Sequence, residues 1–149
     1  MIRKALIATA LALATPATAG PHEDVMAIVD AALTAINTND AALLQKVMLP
    51  TATIVAQNYG PDGMLKTRVL SVADMVKSFA APDRHVDERI HAPVVLVQRE
   101  LAHVWAPYTL DYNGKRLHCG VDSFGLAKVD GVWKLTSLTW TAEPKGCAG

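Results

Sequence analysis

The spacing of apolar residues predicts helices in the first half of the chain. Between 23 and 36 the apolar side chains recur every three or four positions, which is typical of an amphipathic helix with one buried stripe. Asp40 is placed to cap a second helix, which Pro50 is expected to end. Ser71 followed by Asp74 resembles a capping box and predicts a third helix.

After residue 85 the apolar period falls to two, which predicts β-strands. The dipeptides Asn113-Gly114 and Asp130-Gly131 separate the last three strands and are typical of two-residue hairpin turns. We therefore expect a mainly helical first half followed by an antiparallel meander. Together with two short strands in the first half, the predicted strands span 51–57, 64–70, 85–91, 93–99, 101–112, 115–129 and 132–141.

The hairpin turns also predict which side chains share a face of the sheet, because side chains alternate along a strand. Tyr112 is expected opposite Lys115, and Val129 opposite Val132, although a bulge would shift the more distant pairs. One predicted face carries His103, Trp105, His118, Gly120, Asp122, Phe124, Trp133 and Thr139; the other carries Val104, Tyr108, Cys119, Val121, Leu138 and Trp140. Both faces are partly apolar, so helices are expected to cover one and a second subunit the other.

The first nineteen residues have the pattern of a signal peptide. Arg3 and Lys4 precede an apolar run, and Ala17-Thr18-Ala19 supplies a small-residue cleavage site. The run is shorter than the ~20 residues that span a bilayer, and an uncleaved anchor is the alternative. We expect residues 1–19 to be removed and 20–149 to form a single domain, periplasmic or secreted, with no membrane contact after cleavage.

Composition and charge argue against a disordered chain and against a nucleic-acid-binding protein. Of the 149 residues, 51% are apolar and 19% charged, which is typical of a globular domain and excludes a disordered chain. The chain has 14 basic and 14 acidic residues; loss of Arg3 and Lys4 leaves 12 and 14, a charge of −2. Because no basic surplus exists, a nucleic-acid partner is not expected.

The predicted export affects how the two cysteines, Cys119 and Cys147, are interpreted. An oxidising compartment permits a disulfide between them, and it would close a loop of 28 positions, worth about 3 kcal/mol. The alternative is a small buried thiol at Cys119 and a free one in the tail. Neither the cysteines nor the five histidines have metal-ligand spacing, so no metal or cofactor is expected.

The order of elements and three segments of the meander resemble the nuclear transport factor 2-like superfamily. The segments are Trp105–Tyr108, His118–Phe124 and Lys128–Leu135, and the resemblance covers residues 22–141. The superfamily includes ketosteroid isomerases, SnoaL-like cyclases and a subgroup called lumazine-binding, which these segments resemble most. The resemblance implies an α+β fold, a cone-shaped curved antiparallel sheet packed against about three N-terminal helices, with a deep pocket and frequent dimerisation through the outer sheet face.

The resemblance also identifies candidate catalytic residues. Ketosteroid isomerases place a general-base Asp where this chain has Ala56 or Gln57, neither of which can take a proton from carbon. SnoaL-like cyclases are similar in keeping a His and an Asp in the cavity, which implies His118 and Asp122 here. Each also has a structural interpretation, Asp122 as a carboxylate paired within the sheet and His118 as a histidine at the pocket mouth.

Further residues are candidates for ligand contact or dimer contact. In the predicted register Trp105 and Thr139 flank Asp122, and an apolar pocket would raise the pKa of that carboxyl group. The other candidate ligand-binding residues are Phe124, Gly120, Arg89, His91 and Tyr59, of which the last three are also consistent with a solvated strand edge and a simple turn. The predicted dimer interface comprises Trp140, Tyr108, Val121 and Val104, with cover by the C-terminal tail as the alternative.

Three functions fit these residues. The first is an exported protein that binds a small, partly apolar molecule in a cone-shaped pocket. The second is a SnoaL-like or isomerase-like enzyme that uses Asp122 and His118 for acid–base chemistry. The third is a structural dimerisation module. The sequence does not decide whether the chain is an enzyme.

Overall fold

The computed structural model describes residues 20–81 and 83–147, so the predicted signal peptide lies outside the described residues. Three helices and seven strands follow one another as predicted, helices first and a meander afterwards. The helices are α1 (Pro21–Thr38), α2 (Ala41–Val47) and α3 (Val72–Ser78). The strands are β1 (Met48–Tyr59), β2 (Leu65–Leu70), β3 (Val86–Ile90), β4 (Val94–Gln98), β5 (Leu101–Tyr112), β6 (Lys115–Val129) and β7 (Val132–Ala142).

Side-chain caps set where α2 and α3 begin. The Asp40 side chain accepts a hydrogen bond from the backbone N–H of Leu43 over 2.9 Å at the start of α2. Ser71 and Asp74 form the predicted capping box at the start of α3. The prediction that Pro50 ends α2 is wrong, because α2 ends at Val47 and Pro50 lies inside β1.

The seven strands form one curved sheet in the order β2-β1-β7-β6-β5-β3, with β4 paired to the other half of the same edge of β5. All pairs are antiparallel except β1 with β7, which run parallel. The expectation of a wholly antiparallel sheet is therefore wrong at this pair. The two strands are joined by residues 60–131, about half of the chain, rather than by a hairpin turn, so no short-range signal specified their relative direction.

Both predicted hairpin turns are present. Tyr112 pairs with Lys115, and Val129 with Val132. The residues between them have positive φ throughout, 50° and 75° at Asn113-Gly114 and 50° and 80° at Asp130-Gly131. Positive φ at both central positions is the geometry that matches the twist of the flanking strands.

Two bulges beyond these turns overturn the predicted faces. The register shifts between Leu110 and Asp111, leaving Leu117 unpaired, and between Gly125 and Leu126, leaving Thr136 unpaired. Each extra residue shifts the pairing of its two strands by one position. Beyond the bulge, every side chain of the bulged strand therefore lies on the opposite face from the one predicted relative to its partner strand. The cross-strand neighbours of Asp122 are consequently Ala106 and Trp140, and not Trp105 and Thr139 as predicted.

The covered face of the sheet, which packs against the helices, contains the hydrophobic core. Its fully buried side chains include Ile54, Val104, Phe124 and Leu135, and α1 contributes Val25, Val29 and Ala32. Opposite it lies the open face, which carries the alternating side chains of the same strands. At ~25 cal/mol per Å² of apolar surface removed from water, the covered face supplies most of the burial energy.

Three of the four predicted dimer-interface residues lie on the covered face. Val104 and Tyr108 are buried, and Trp140 is partly buried against the core. The prediction that they form an outer apolar patch is wrong, and the bulges are the reason. Val121 alone of the four lies on the open face, opposite Pro107.

The disulfide between Cys119 and Cys147 is present, with their Cα atoms 5.5 Å apart. Cys119 also exchanges two backbone hydrogen bonds with Glu143, over 3.2 and 2.8 Å. The covalent bond and this bridge together hold residues 143–147 against β6.

Candidate functional site

A cavity of about 270 Å³ lies between the covered face and helices α1 and α3. That volume is slightly below the ~300–1000 Å³ usual for small-molecule pockets. Its wall is apolar on one side and polar on the other. The apolar residues include Ile36, Leu70, Met75, Leu138 and Trp140; the polar ones include Arg84, Glu88, Tyr108, His118 and Asp122. A mixed wall of this kind suits a small, partly apolar molecule.

Asp122, in the middle of β6, is 3% exposed, and it is the one charged residue classed as buried in the described part of the chain. Its Oδ2 atom has no hydrogen-bond partner. Burial raises the pKa of Asp122 well above its usual range, and the neighbouring charge of Glu88 and a hydrogen bond with Glu88 raise it further. Burial and the nearby charge of Glu88 therefore both favour the protonated, neutral form of Asp122.

Glu88 reaches the same site from β3, and α1 fixes its backbone. Asn37 donates its side-chain amide to the Glu88 carbonyl over 3.0 Å and accepts from the Glu88 N–H over 2.8 Å. Burial raises the pKa of Glu88 to about 7, although the hydrogen bond with Asp122 and the charge of Arg84 act to lower it. The directions of the two pKa shifts favour a proton on Asp122 and negative charge on Glu88, which together we call the carboxyl pair.

Arg84 places a positive charge beside Glu88. Its guanidinium donates to the Ile36 carbonyl over 2.9 Å and to Asn39 Oδ1, and it lies 4.9 Å from the centre of the Phe79 ring. Burial lowers the pKa of Arg84, and the charge of Glu88 raises it. Since arginine keeps its proton in proteins, Arg84 stabilises the ionised form of Glu88.

Tyr108 and His118 form a second polar group on the cavity wall. The Tyr108 hydroxyl donates to the Thr141 carbonyl over 2.8 Å and lies 3.0 Å from His118 Nδ1. The two rings meet edge to face, with centroids 5.7 Å apart. Burial lowers the pKa of His118 and raises that of Tyr108, so both side chains are neutral at pH 7.

The structure brings only some of the predicted site residues together. His118 and Asp122 both line the cavity, on one face of β6, as expected. Phe124 lies on the same face but is fully buried in the core. Gly120 does not leave space for a ligand, because the Thr141 carbonyl oxygen lies 2.1 Å from the position a Cβ would take.

The remaining predicted ligand-binding residues lie away from the cavity. Trp105 and Thr139 both pair with Ser123 on the open face. Arg89 and His91 line a separate open-face groove, in which Arg89 pairs with Asp87. Tyr59 borders a shallow depression with Pro144 and Lys145. The prediction that these five residues line the pocket is therefore wrong. For Trp105 and Thr139, the bulges are the reason.

Three site residues, Glu88, Tyr108 and Arg84, are not among those that the sequence pattern predicts at the pocket. A signal for Glu88 existed, because Val86, Glu88 and Ile90 alternate along β3 and place one carboxyl group in the middle of an apolar face. Arg89 and His91, the residues of this segment predicted at the pocket, occupy the opposite face. Tyr108 falls on the outer face only in a register without the bulge.

Within residues 20–81 and 83–147, no group of three or more His, Cys, Asp or Glu side chains is arranged to hold a metal ion. Over the same residues, no helix is long and apolar enough to cross a membrane.

No protein-family model matches the sequence, and no curated protein matches it. Solved structures do match. An NTF2-like protein from Cytophaga hutchinsonii aligns with a TM-score of 0.64 at 13% identity, over 83% of this chain and 99% of that one. A CaMKII hub from S. rosetta aligns at 0.67 and 17%, over 85% and 99%. An NTF2-like protein of unknown function from Shewanella baltica aligns at 0.58 and 15%, over 83% and 94%. The chain therefore has the fold of the nuclear transport factor 2-like superfamily.

Proposed function

We propose that the protein is an enzyme that transfers protons on a small, partly apolar molecule carrying a carbonyl group. The observation that carries the proposal is the carboxyl pair, two acids that share one site in a cavity wall. Two carboxyl groups that line one cavity and shift each other's pKa titrate as a unit, and one stays protonated while the other ionises. The pair thus supplies a base and an acid at the same pH.

The pKa shifts of the two carboxyl groups assign the roles. Burial and the charge of Glu88 favour the protonated form of Asp122, so Glu88 is the group that accepts a proton from the substrate. A pKa of about 7 matches general-base catalysis near neutral pH. The proton leaves a carbon next to the carbonyl group and moves to Glu88. Its return to the same carbon gives exchange; in a hydroxyketone, its return to the former carbonyl carbon, with transfer of the hydroxyl proton to the former carbonyl oxygen, gives isomerisation.

The test measures proton transfer directly. The protein is incubated in deuterium oxide with a panel of small cyclic ketones and hydroxyketones, and loss of the α-proton signal is followed by NMR. Glu88→Gln and Asp122→Asn are each expected to lower the exchange rate by about 10²-fold or more. Wild-type exchange is expected to increase as the pH rises through about 7, because Glu88 must be ionised.

Asp87→Asn is the matched control, one residue along the same strand and on the open face, where Asp87 pairs with Arg89. Its exchange rate should equal that of the wild type. Absence of exchange with every ketone would contradict the enzyme. If the ketones still perturbed the resonances of cavity residues, the protein would instead be a binder.

We further propose that the protein is exported with a new N-terminus at Gly20. The signal-peptide pattern of residues 1–19 supports this, and so does the Cys119–Cys147 disulfide, since such bonds persist in oxidising compartments. Intact-mass measurement of the protein from a bacterial periplasmic fraction should show the chain starting at Gly20. A mass that includes Met1 would contradict the proposal.

A homodimer through the open face is also proposed, on residues other than those first predicted. Val94 and Trp105 are cross-strand neighbours, Leu96 and Leu101 continue the same stripe, and all four are more than half exposed. Contiguous exposed apolar surface is typical of an interaction site. Sedimentation velocity should give a dimer for the wild type and a monomer for Trp105→Glu, and a wild-type monomer would contradict the proposal.

A further inference from the structure

The Tyr108 hydroxyl has one proton and two neighbours. Its oxygen lies 2.8 Å from the Thr141 carbonyl oxygen and 3.0 Å from His118 Nδ1. A carbonyl oxygen can only accept, whereas an imidazole nitrogen can either donate or accept. Both contacts are satisfied together only if Tyr108 donates to Thr141 and His118 donates from Nδ1–H to Tyr108.

The Thr141 carbonyl can accept from Tyr108 because it does not accept a hydrogen bond from β6. The Thr141 hydroxyl accepts that bond instead. The Val121 N–H donates to Thr141 Oγ1 over 3.1 Å. The carbonyl group lies instead against Gly120, where any Cβ would meet its oxygen at 2.1 Å. A side chain at position 120 would displace the carbonyl, so glycine is needed there for close approach of the two strands.

Two connections hold the end of β7 in this position. Glu143 exchanges two backbone hydrogen bonds with Cys119, and the disulfide ties Cys119 to Cys147. Both connections are made at Cys119 on β6, next to His118. The segment that contains Thr141 is thus attached to β6, the strand that also carries His118.

We propose that Thr141, Tyr108 and Gly120 are positioning residues that hold His118 in the tautomer protonated at Nδ1, leaving Nε2 as an unprotonated acceptor for a group in the cavity. No described residue forms a hydrogen bond with Nε2, and His118 lines the cavity. In neutral imidazole, the bond made by one nitrogen determines the state of the other. Nε2 therefore provides a second acceptor across the same cavity as Glu88. The use of Nε2 in catalysis rests on the proposed function, whereas the tautomer does not.

The test is the tautomer itself, measured by ¹⁵N NMR on histidine-labelled protein at a pH where His118 is neutral. His118→Gln identifies the His118 signals among those of the five histidines. The wild type is expected to show a protonated Nδ1 and an unprotonated Nε2. Tyr108→Phe removes the acceptor of the Nδ1 proton, so the ratio of the Nδ1–H to the Nε2–H tautomer should fall by about tenfold, the effect of one hydrogen bond.

Thr141→Val and Thr141→Ser form a matched pair. Valine has the shape of threonine without its hydroxyl, so Val121 loses its partner, the carbonyl returns to the strand pairing, and Tyr108 can donate to Nδ1. The Nε2–H tautomer should then appear. Serine keeps the hydroxyl and should keep the wild-type tautomer.

Each outcome decides the inference. A wild-type Nε2–H tautomer, or an Nδ1–H tautomer that survives in both Tyr108→Phe and Thr141→Val, would overturn it. The same measurements distinguish failure of the proposed function from failure of this inference. If only the proposed function is wrong, the protein will show the expected tautomers but no deuterium exchange. Exchange that depends on Glu88 in a protein with the Nε2–H tautomer would mean that only the positioning inference is wrong.

Discussion

The two faces of the sheet carry similar residues in opposite environments. On the open face, Asp87 is solvent-accessible and pairs with Arg89. On the covered face, the next residue, Glu88, shares a buried site with Asp122, and burial raises the pKa of both carboxyl groups. A shift of one position along a strand thus separates a surface ion pair from a pair of acids that can exchange protons. The environment, and not the residue type, creates the chemistry.

Removal of an apolar side chain should show the largest difference between the faces. Ile54 on β1 is fully buried on the covered face, whereas Val69 on the neighbouring β2 is 72% exposed on the open face. Ile54→Ala is expected to lower the free energy of unfolding by about 2–5 kcal/mol, because it leaves a cavity in the core. Val69→Ala should change it by under about 0.5 kcal/mol. Urea unfolding measures both, and equal effects would contradict the assignment of the faces.

The disulfide should have the next largest effect. It closes a loop over a sequence separation of 28 residues, outside the helix-covered core. Its reduction is expected to lower the free energy of unfolding by about 3 kcal/mol, because the unfolded chain gains freedom. The measurement is urea unfolding with and without reductant. The double variant Cys119→Ser/Cys147→Ser should not respond to reductant, and a wild type that also failed to respond would contradict the prediction.

The carboxyl pair should give the smallest of the three effects, seen as a pH dependence. The pKa of Glu88 is about 7 in the folded protein and ordinarily 4.5, so the folded state holds this proton more tightly than the unfolded chain. Its contribution to stability is therefore fully present below about pH 4.5 and is lost as the pH rises through about 7. Glu88→Gln should lessen that loss by about 1–3 kcal/mol between pH 5 and pH 8.

Asp87→Asn again provides the comparison for the pH effect. Because Asp87 lies on the open face beside Arg89, this variant should keep most of the wild-type pH dependence. Urea unfolding at the two pH values measures both variants. Identical pH dependence in Glu88→Gln and the wild type would mean that Glu88 is not held in a buried pair.

The sequence by itself determined the elements and their order. The change of apolar period from helical spacing to two marked the transition to strands. The Asp40 cap, the Ser71–Asp74 capping box and the hairpin dipeptides act through contacts only a few residues apart. Such signals are local, so they can be found without the fold. The resemblance of three meander segments to the superfamily predicted the fold. It also predicted His118 and Asp122 in the cavity, and the two share a face because they lie four residues apart on one strand.

The tertiary structure decided which face each side chain occupies and which residues meet. The bulges at Leu117 and Thr136 carry no strong local signal, yet each reverses the faces of the strands beyond it. The meeting of Glu88 with Asp122 joins two strands that are not adjacent in the sheet. A pKa depends on burial and on neighbours distant in sequence, so the proton chemistry of this site exists only once the chain has folded.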